Sequence, residues 1–400
     1  MTNRRVAIVT PGTFAVPSGR ASSVETVVVN VSRHMTHAAD VYVIAKKTKR
    51  DAWRERRDGV RFVRVAGASP LRYIARVSGL IRRIAPSIVQ VENRPKFAKR
   101  LKEKYPNLPV ILSLHSTTFL SPRHIKPPLL RASLEAVDAI VVNSEHLRRQ
   151  LLAIDPSLER KVTVNHLGVD ADRFVSRWTE DERRSREAHL KSLGLAGKKI
   201  VLYVGRWIPD KGVHHLIRAM NAITAVEPDA ALVLVGGARY GSNRATPYVR
   251  KLRKLALPIR PYVKFIGYVP HNRVHRWYRL ADVVVVPSSD REAFGLVNLE
   301  AMACGVPVVA AASGGITEIV EHGKTGLLVS RDRLVEDIVE NVCAILADPA
   351  YGRRLGEQGI ARVRERFSWR HAADRLLELY DKLERNVKTG DFTETPAASP

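Results

Sequence analysis

Short, uninterrupted apolar runs, each followed by an amphipathic stretch, constrain this chain more than any other feature. The runs are Val6–Thr10, Val41–Ala45, Val60–Val65, Ile88–Glu92, Val110–Leu114, Ala139–Asn143 and Val162–Asn165. They are Val/Ile-rich and mostly not alternating, so they read as parallel strands covered on both faces. Stretches with helical spacing, such as Ser23–Met35, Arg72–Ile84 and Glu145–Leu152, separate most of them and give a βαβ rhythm. The rhythm breaks at a highly charged segment, Arg173 to Arg186, and restarts with Ile200–Val204, Ala231–Val235, Val263–Ile266, Val283–Val286 and Val308–Ala311. The expected organisation is a first α/β domain at 1–172, a linker at 173–197, a second α/β domain at 198–368, a closing helix at 369–385 and a disordered tail at 386–400.

Four hundred residues, 45% of them hydrophobic, can bury two full cores. Two cysteines, Cys304 and Cys343, imply no disulfide framework and fit a reducing cytosol. The apolar run Val6–Val9 behind MTNRR is too short for a signal-peptide core, and no run approaches the roughly 20 residues a spanning helix needs. Charge is the anomaly: the net is +26, and residues 1–170 alone carry 30 basic and 13 acidic side chains, a net of +17. Such a field recruits anionic lipid, nucleic acid or acidic polymer. The plainer reading is a solvated basic surface, and charge by itself leaves both open.

The densest chemistry is DREAFGLVNLEAMACGVPVVA, from Asp290 to Ala310. The strand-like run ending at Pro287 leads into a small-residue turn, Phe294-Gly295-Leu296, and then into helix-compatible residues. Strand, glycine turn and helix start form a natural anion site, because the first helical N–H groups lack internal partners. Glu292 and Glu300 flank the turn, so backbone amides can take phosphate while carboxylates take sugar hydroxyls. Upstream, Gly205-Arg206-Trp-Ile-Pro-Asp-Lys211-Gly212 follows another strand-like run, which places an arginine fork and a lysine point charge where a diphosphate would sit.

Glu292-x7-Glu300 resembles the E-x7-E element of the retaining glycosyltransferases of family 4, and Gly205-Arg206-x4-Lys211-Gly212 is similar to that family's G-R-x4-K-G donor-phosphate motif. The likeness runs from the first strand to Trp369 and the closing helix. PGTFAVPSGRASSVET, VQVENRP and LSLHSTTF resemble the branch that includes spore-coat-associated bacterial enzymes. The resemblance implies a GT-B fold, two Rossmann-like doubly wound domains facing across a cleft, with the closing helix packed back on the first.

It also implies roles. Arg206 and Lys211 would neutralise a departing nucleoside diphosphate without a metal or other cofactor. Glu292 would hold a donor-sugar hydroxyl, Glu300 the ribose hydroxyls, and His115 the sugar as well. Gly205, the amides of Phe294, Gly295, Leu296 and Val297, and the Gly267-Tyr268 backbone would complete the donor site. Ser22-Ser23 stands where many members have a Gly-Gly pair near the phosphates. Glu92, Asn93 and Arg94 are acceptor-side candidates, with ordinary loop chemistry as the alternative. His214 and His215 lack partners at metal spacing and read as structural.

The function expected from these residues is transfer, with retention, of a sugar from a UDP-type donor to a hydroxyl of a cell-envelope, spore-coat or polysaccharide glycoconjugate. The protein would be cytoplasmic, at most peripheral on an anionic membrane at the inner face or on a spore coat. Two rivals stand beside it. A non-catalytic coat or scaffold protein of the same fold would not need Arg206, Lys211, Glu292 and Glu300 intact. A basic nucleic-acid binder would need an aromatic stacking platform or a known module, and neither is visible, so nucleic acid is not an expected partner. An NAD dehydrogenase is disfavoured because no G-x-G-x-x-G follows the first strand.

Overall fold

The computed structural model describes residues 4–17, 23–49, 51–67, 69–239, 241–288 and 292–389. Two compact units emerge, Met1–Leu167 together with Trp369–Pro400, and Gly168–Ser368.

In the first unit eight strands form one sheet: β1 (Arg5–Val9), β2 (Asp40–Lys46), β3 (Arg54–Arg57), β4 (Val60–Val65), β5 (Ile88–Glu92), β6 (Val110–Leu114), β7 (Ala139–Val142) and β8 (Val162–Val164). Their order is β3-β4-β2-β1-β5-β6-β7-β8. The β1 residue Val6 pairs with Val41 on one side and Ile88 on the other, both in parallel register. Beyond β1 the sheet grows in opposite directions, so the loops at the carboxyl ends of β1 and β5 flank its switch point. The β5 and β6 side chains are all buried, which explains their mostly apolar character; the polar exceptions, Gln90, Glu92 and Ser113, are buried as well.

One strand was not expected. β3 is Arg-Glu-Arg-Arg and lacks apolar periodicity, yet it pairs antiparallel with β4 through a two-residue turn, Asp58-Gly59, both at positive φ. Asp-Gly in that conformation suits a tight hairpin.

The final helix, Trp369–Thr389, belongs to this unit. Tyr380 and Ala372 are wholly buried in it. The Arg375 guanidinium donates to Asn165 Oδ1 (2.8 Å) and to the His166 carbonyl (2.7 Å), and Asn165 Nδ2 donates to the Ala372 carbonyl. Residues 386–389, expected to begin a disordered tail, continue this helix; residues 390–400 lie outside the described residues.

In the second unit β9 (Lys199–Val204), β10 (Ala230–Val235), β11 (Val263–Gly267), β12 (Val283–Val286), β13 (Val308–Ala311) and β14 (Leu327–Val329) run parallel in the order β11-β10-β9-β12-β13-β14. This is the dinucleotide-binding arrangement, with its switch point between β9 and β12. Leu216, Met220 and Ile223 on the helix Val213–Val226 share one cluster with Ile338, Val342 and Ile345 on the helix Leu334–Ala347. Each such buried aliphatic contributes about 1.5–3 kcal/mol.

The segment expected as a linker at 173–197 is instead an integral part of this unit. It contains the helix Glu180–Ser192, and Arg177 and Arg186 both bind Asp282, at 2.8 and 2.6 Å. Trp178 Nε1 donates to the Gly305 carbonyl. Arg177 and Arg186 dock it on the sheet, while Glu180, Arg183 and Arg184 of the same segment stay exposed. Among the described residues no helix is long and apolar enough to cross a membrane.

Candidate functional site

The second unit gathers its candidate residues at the β9/β12 switch point. The loop after β9 ends in a short turn, Pro209–Lys211, and Gly212 starts the helix Val213–Val226 at φ +66. A Cβ on Gly212 would lie 1.9 Å from the Pro287 carbonyl oxygen, so the loop is pressed against the end of β12 and only glycine fits. This approach brings Lys211 Nζ into an ion pair with Glu292 Oε2, the side chains being 24% and 15% exposed. Burial would push the Glu292 carboxyl up; Lys211, a hydrogen bond with Ser288 and the nearby Arg206 charge outweigh it and hold the group below the ordinary carboxylate value. Glu292 is therefore an anion at neutral pH with a cation already on it.

Two residues missed by sequence reasoning fix its backbone. Gly314 and Gly315 follow β13, and the Gly315 amide donates to the Glu292 carbonyl at 3.0 Å. A Cβ on Gly314 would fall 1.9 Å from that same oxygen, at φ +58. The signal was present in the sequence: a Gly-Gly pair directly after an apolar strand, at the same sheet end as the other loops.

Gly295 opens the helix Leu296–Ala303, where the first-turn amides, including Leu296 and Val297, are of the kind that lack an intrahelical acceptor. The Phe294 side chain is buried and packs edge-on against Phe367, which leaves its backbone as the part available to a ligand. Glu300 has separate partners. Its carboxylate accepts from the buried Tyr278 hydroxyl at 2.6 Å and contacts His271 Nε2 at 2.7 Å, and Phe174 packs beside both rings. Burial and the Glu300 charge push the Tyr278 hydroxyl well above its usual range, so it stays a donor. Gly267 ends β11, and the Tyr268 amide is already occupied by Asn243 Oδ1 at 2.6 Å. Asn243, His271 and Tyr278 carried no motif that pointed to them.

His214 and His215, read as structural, stack at 4.0 Å, and His214 Nδ1 meets the Tyr248 hydroxyl at 2.8 Å. Burial lowers His214 to about 4, so it is neutral. Among the described residues no three His, Cys, Asp or Glu side chains are grouped to hold a metal ion.

The first unit gathers a second set where β5 and β6 end. Glu92 is 1% exposed, and its two oxygens meet Gln90 Nε2 (2.6 Å) and His115 Nε2 (2.7 Å). Asn93, at φ +52 and equally buried, accepts the His115 amide on its Oδ1 at 2.8 Å. Both were acceptor-side candidates, with ordinary loop chemistry as the alternative; here the Glu92 oxygens meet Gln90 and His115, and Asn93 Oδ1 is taken by the His115 amide. Arg94 differs. Its guanidinium lies 3.6 Å from the Phe119 ring centroid and donates to Thr13 Oγ1 at 3.2 Å. Burial pulls Arg94 down to about 10, against the nearby charge of Glu25, which leaves it cationic at neutral pH. Ser23 starts the helix Ser23–Met35 and is exposed; Ser22 lies outside the described residues.

Two sheets, one of parallel strands throughout and one parallel but for the edge strand β3, each with a switch point and one carrying a cation–carboxylate pair beside a helix start, define a protein of the GT-B class. Comparison with known proteins agrees. Residues 24–173 match the model described as Glycosyltransferase Family 4, and residues 185–362 the model described as Glycosyl transferases group 1. The chain is 30% identical over 378 residues to Spore coat protein SA of Bacillus subtilis (strain 168), covering 94% of this chain and 99% of that protein. Among solved structures it is similar to sucrose-phosphate synthase from Thermosynechococcus elongatus, with a TM-score of 0.76, 24% identity, and 95% and 99% of the two chains covered. It is also similar to Anabaena HepE in complex with UDP-glucose, with a TM-score of 0.75, 21% identity, and 94% and 99% covered. The chain belongs to the GT-B glycosyltransferases that carry these family 4 and group 1 domains.

Proposed function

We propose that this glycosyltransferase moves a sugar, with retention and without a metal, from a UDP-type donor to a hydroxyl of a cell-envelope, spore-coat or polysaccharide glycoconjugate. The observation that carries the reading is the Lys211–Glu292 pair, set beside the Leu296–Ala303 helix start and within reach of the Arg206 charge. A diphosphate arriving there meets amides and two cations, and Lys211 exchanges one anion for another instead of losing a partner. As the sugar–phosphate bond breaks, Arg206 and Lys211 stabilise the negative charge left on the leaving group. Glu292, freed from part of its pairing, holds a sugar hydroxyl. Retention is assigned to same-face attack assisted by the leaving phosphate. Glu300 takes the ribose hydroxyls, with Tyr278 keeping its carboxylate in place. The UDP-glucose bound to the structural neighbour HepE supports a uridine donor.

The experiment is thermal melting with UDP, GDP and ADP in EDTA, followed by turnover of the matching nucleotide sugars. A rise in Tm with one diphosphate, RT ln(1 + [L]/Kd) in stability, is expected in EDTA. If none stabilises until a divalent metal is added, the metal-free reading fails.

A basic edge on the first unit supports a peripheral contact with an anionic surface. Arg54, Arg56 and Arg57 are exposed along β3, beside Trp53, which is 59% exposed with Lys47 Nζ 5.2 Å from its ring centroid. Each cation near such a surface contributes on the order of 1 kcal/mol. Co-sedimentation with phosphatidylserine vesicles at low and high salt checks it, with heparin as the polymer control. Failure to bind either at low salt leaves only a solvated edge.

A further inference from the structure

The hydrogen bonds around His115 all point one way. Tyr380, on the closing helix, donates its hydroxyl to Gln90 Oε1 at 2.7 Å. This fixes the Gln90 amide with its NH2 toward Glu92, and Gln90 Nε2 donates to Glu92 Oε1 at 2.6 Å. The other oxygen of Glu92 faces His115 Nε2 at 2.7 Å. A carboxylate that already takes an amide donor on one oxygen and is sealed at 1% exposure needs a donor on the other as well. The hydrogen of the imidazole therefore belongs on Nε2. Ser113 Oγ, at 3.4 Å from the same nitrogen, is too distant to compete. Burial first, and then the Glu92 charge, push the Tyr380 hydroxyl above its usual range, as expected for the outer donor of a chain that ends on an anion.

The remaining ring nitrogen, Nδ1, is buried and has no hydrogen-bond partner. The backbone of His115 is held from both sides, by Asn93 Oδ1 on its amide and by Asn143 Nδ2 on its carbonyl, and turning the ring to exchange its nitrogens would take Nε2 off Glu92 Oε2. Asn143 Oδ1 is also a buried acceptor without a partner, and it and His115 line one cavity of about 20 Å³, room for a single oxygen-sized group. Two bare acceptors lining one cavity call for an O–H group.

We propose that Glu92 is a positioning residue. It locks His115 in the Nε2–H tautomer through the chain Tyr380–Gln90–Glu92, so that His115 meets its ligand as a bare Nδ1 acceptor for a hydroxyl. The inference rests on the reading that His115 contacts a sugar, and it narrows that contact: His115 receives the hydrogen of a hydroxyl and does not deliver one. Glu92 acts only through the imidazole.

The test is spectroscopic and needs no knowledge of the true donor. In the full chain labelled with 15N-histidine, two-bond proton–nitrogen correlations report which ring nitrogen carries hydrogen. The His115 signals are assigned as those lost in His115→Ala. At neutral pH the expected pattern is Nε2 protonated and Nδ1 bare. In Glu92→Gln, Gln90 keeps the new carbonyl on its own side, so an NH2 is presented to His115 Nε2 and the tautomer should invert or become mixed. Release of UDP from UDP-glucose should fall about 10–10²-fold in that variant, the cost of a buried hydroxyl facing a donor in place of an acceptor. Tyr380→Phe, which removes only the outer donor, should shift the tautomer less.

An Nδ1–H or doubly protonated ring in the unmodified protein overturns the proposal, whether or not the variants fold. A Glu92→Gln spectrum identical to the unmodified one does the same. If instead the tautomer is as stated but His115→Ala releases UDP at the unmodified rate, the lock stands and the sugar contact of His115 fails.

Discussion

The two switch-point crevices use the same pairing, a carboxylate against a nitrogen base, for opposite ends. Glu292 and Lys211 are 15% and 24% exposed, paired by charge, and neighboured by Arg206. Glu92 is sealed at 1%, and its partners His115 and Gln90 are in turn fixed, by Asn93 and Tyr380. A reachable pair can exchange partners with an incoming anion at little cost, because each charge finds a substitute. A sealed pair cannot exchange, since separating it would strand a buried carboxylate. The first pair suits a ligand that comes and goes, and the second a frame that must not move. Exposure, more than residue type, separates working groups from supporting ones here.

The largest effect that sharpens this contrast is expected at the exchangeable pair. Lys211→Ala should lower turnover of the nucleotide sugar by about 10²–10³-fold, the cost of one lost stabiliser of transition-state charge. The fold should survive, as judged by an unaltered circular dichroism spectrum, because Lys211 is not part of a core. A variant with near-normal turnover would place the two crevices on one footing.

Next in size is the glycine behind Glu292. Gly314→Ala adds a Cβ where a carbonyl oxygen lies 1.9 Å away, at a positive φ. It should destabilise the second unit by about 1–3 kcal/mol, measured by urea unfolding. Activity should drop further than stability alone explains, since the clash falls on the Glu292 backbone.

A smaller, pH-dependent effect follows from the depressed Glu292 carboxyl. A group whose folded value lies below its unfolded one contributes stability above the unfolded value and loses it as pH falls through the folded value. Glu292→Gln should therefore cost stability at neutral pH, and the difference from the unmodified protein should shrink as pH falls below the ordinary carboxylate value of 4.5 and vanish only below the depressed folded value. Paired melting curves across that range decide it. A gap that persists in acid would mean the side chain acts by packing and not by charge.

The smallest effect on stability is expected at the β3 edge. Reversing Arg56 and Arg57 to Glu should shift stability by less than about 0.5 kcal/mol, yet weaken vesicle or heparin retention at low salt. Unchanged retention would remove that edge as a contact surface.

Legibility in the sequence followed the physics of each element. Strands buried on both faces, such as β6 and β7, announce themselves because burial favours Val, Ile and Leu on both sides of the strand. β3 does not, because one antiparallel partner and a solvent face allow Arg-Glu-Arg-Arg; its only signature was Asp58-Gly59. The charged segment after Arg173 misled because arginines that dock on Asp282 look the same, residue by residue, as arginines in water. Motif spacing brought Arg206, Lys211 and Glu292 to one place, since all three follow strand ends of one sheet. It did not reveal that Glu92, the last residue of β5 and on the same face as Gln90, meets His115 from the end of β6, because that contact depends on how two neighbouring strands are paired. The Gly314-Gly315 pair was visible after its strand, but that it touches the Glu292 backbone depends on which loops meet. The pairing of Glu300 with His271 and Tyr278 depends on the approach of a helix that spacing does not describe.

The chain leaves the first unit at Leu167 and returns to it at Trp369, so one unit is interrupted by the whole of the other. Synthesis runs in one direction, and segments emerge from the ribosome in order. The second unit is therefore complete while the first still lacks the helix Trp369–Thr389, and the Tyr380 hydroxyl that reaches Gln90 appears only after both sheets have been made. A nascent chain halted before Trp369 would hold a finished nucleotide-type sheet and an unfinished partner. The helix Trp369–Thr389, made after the whole of the second unit, is thus the one that closes a hydrogen-bond chain begun at residue 90.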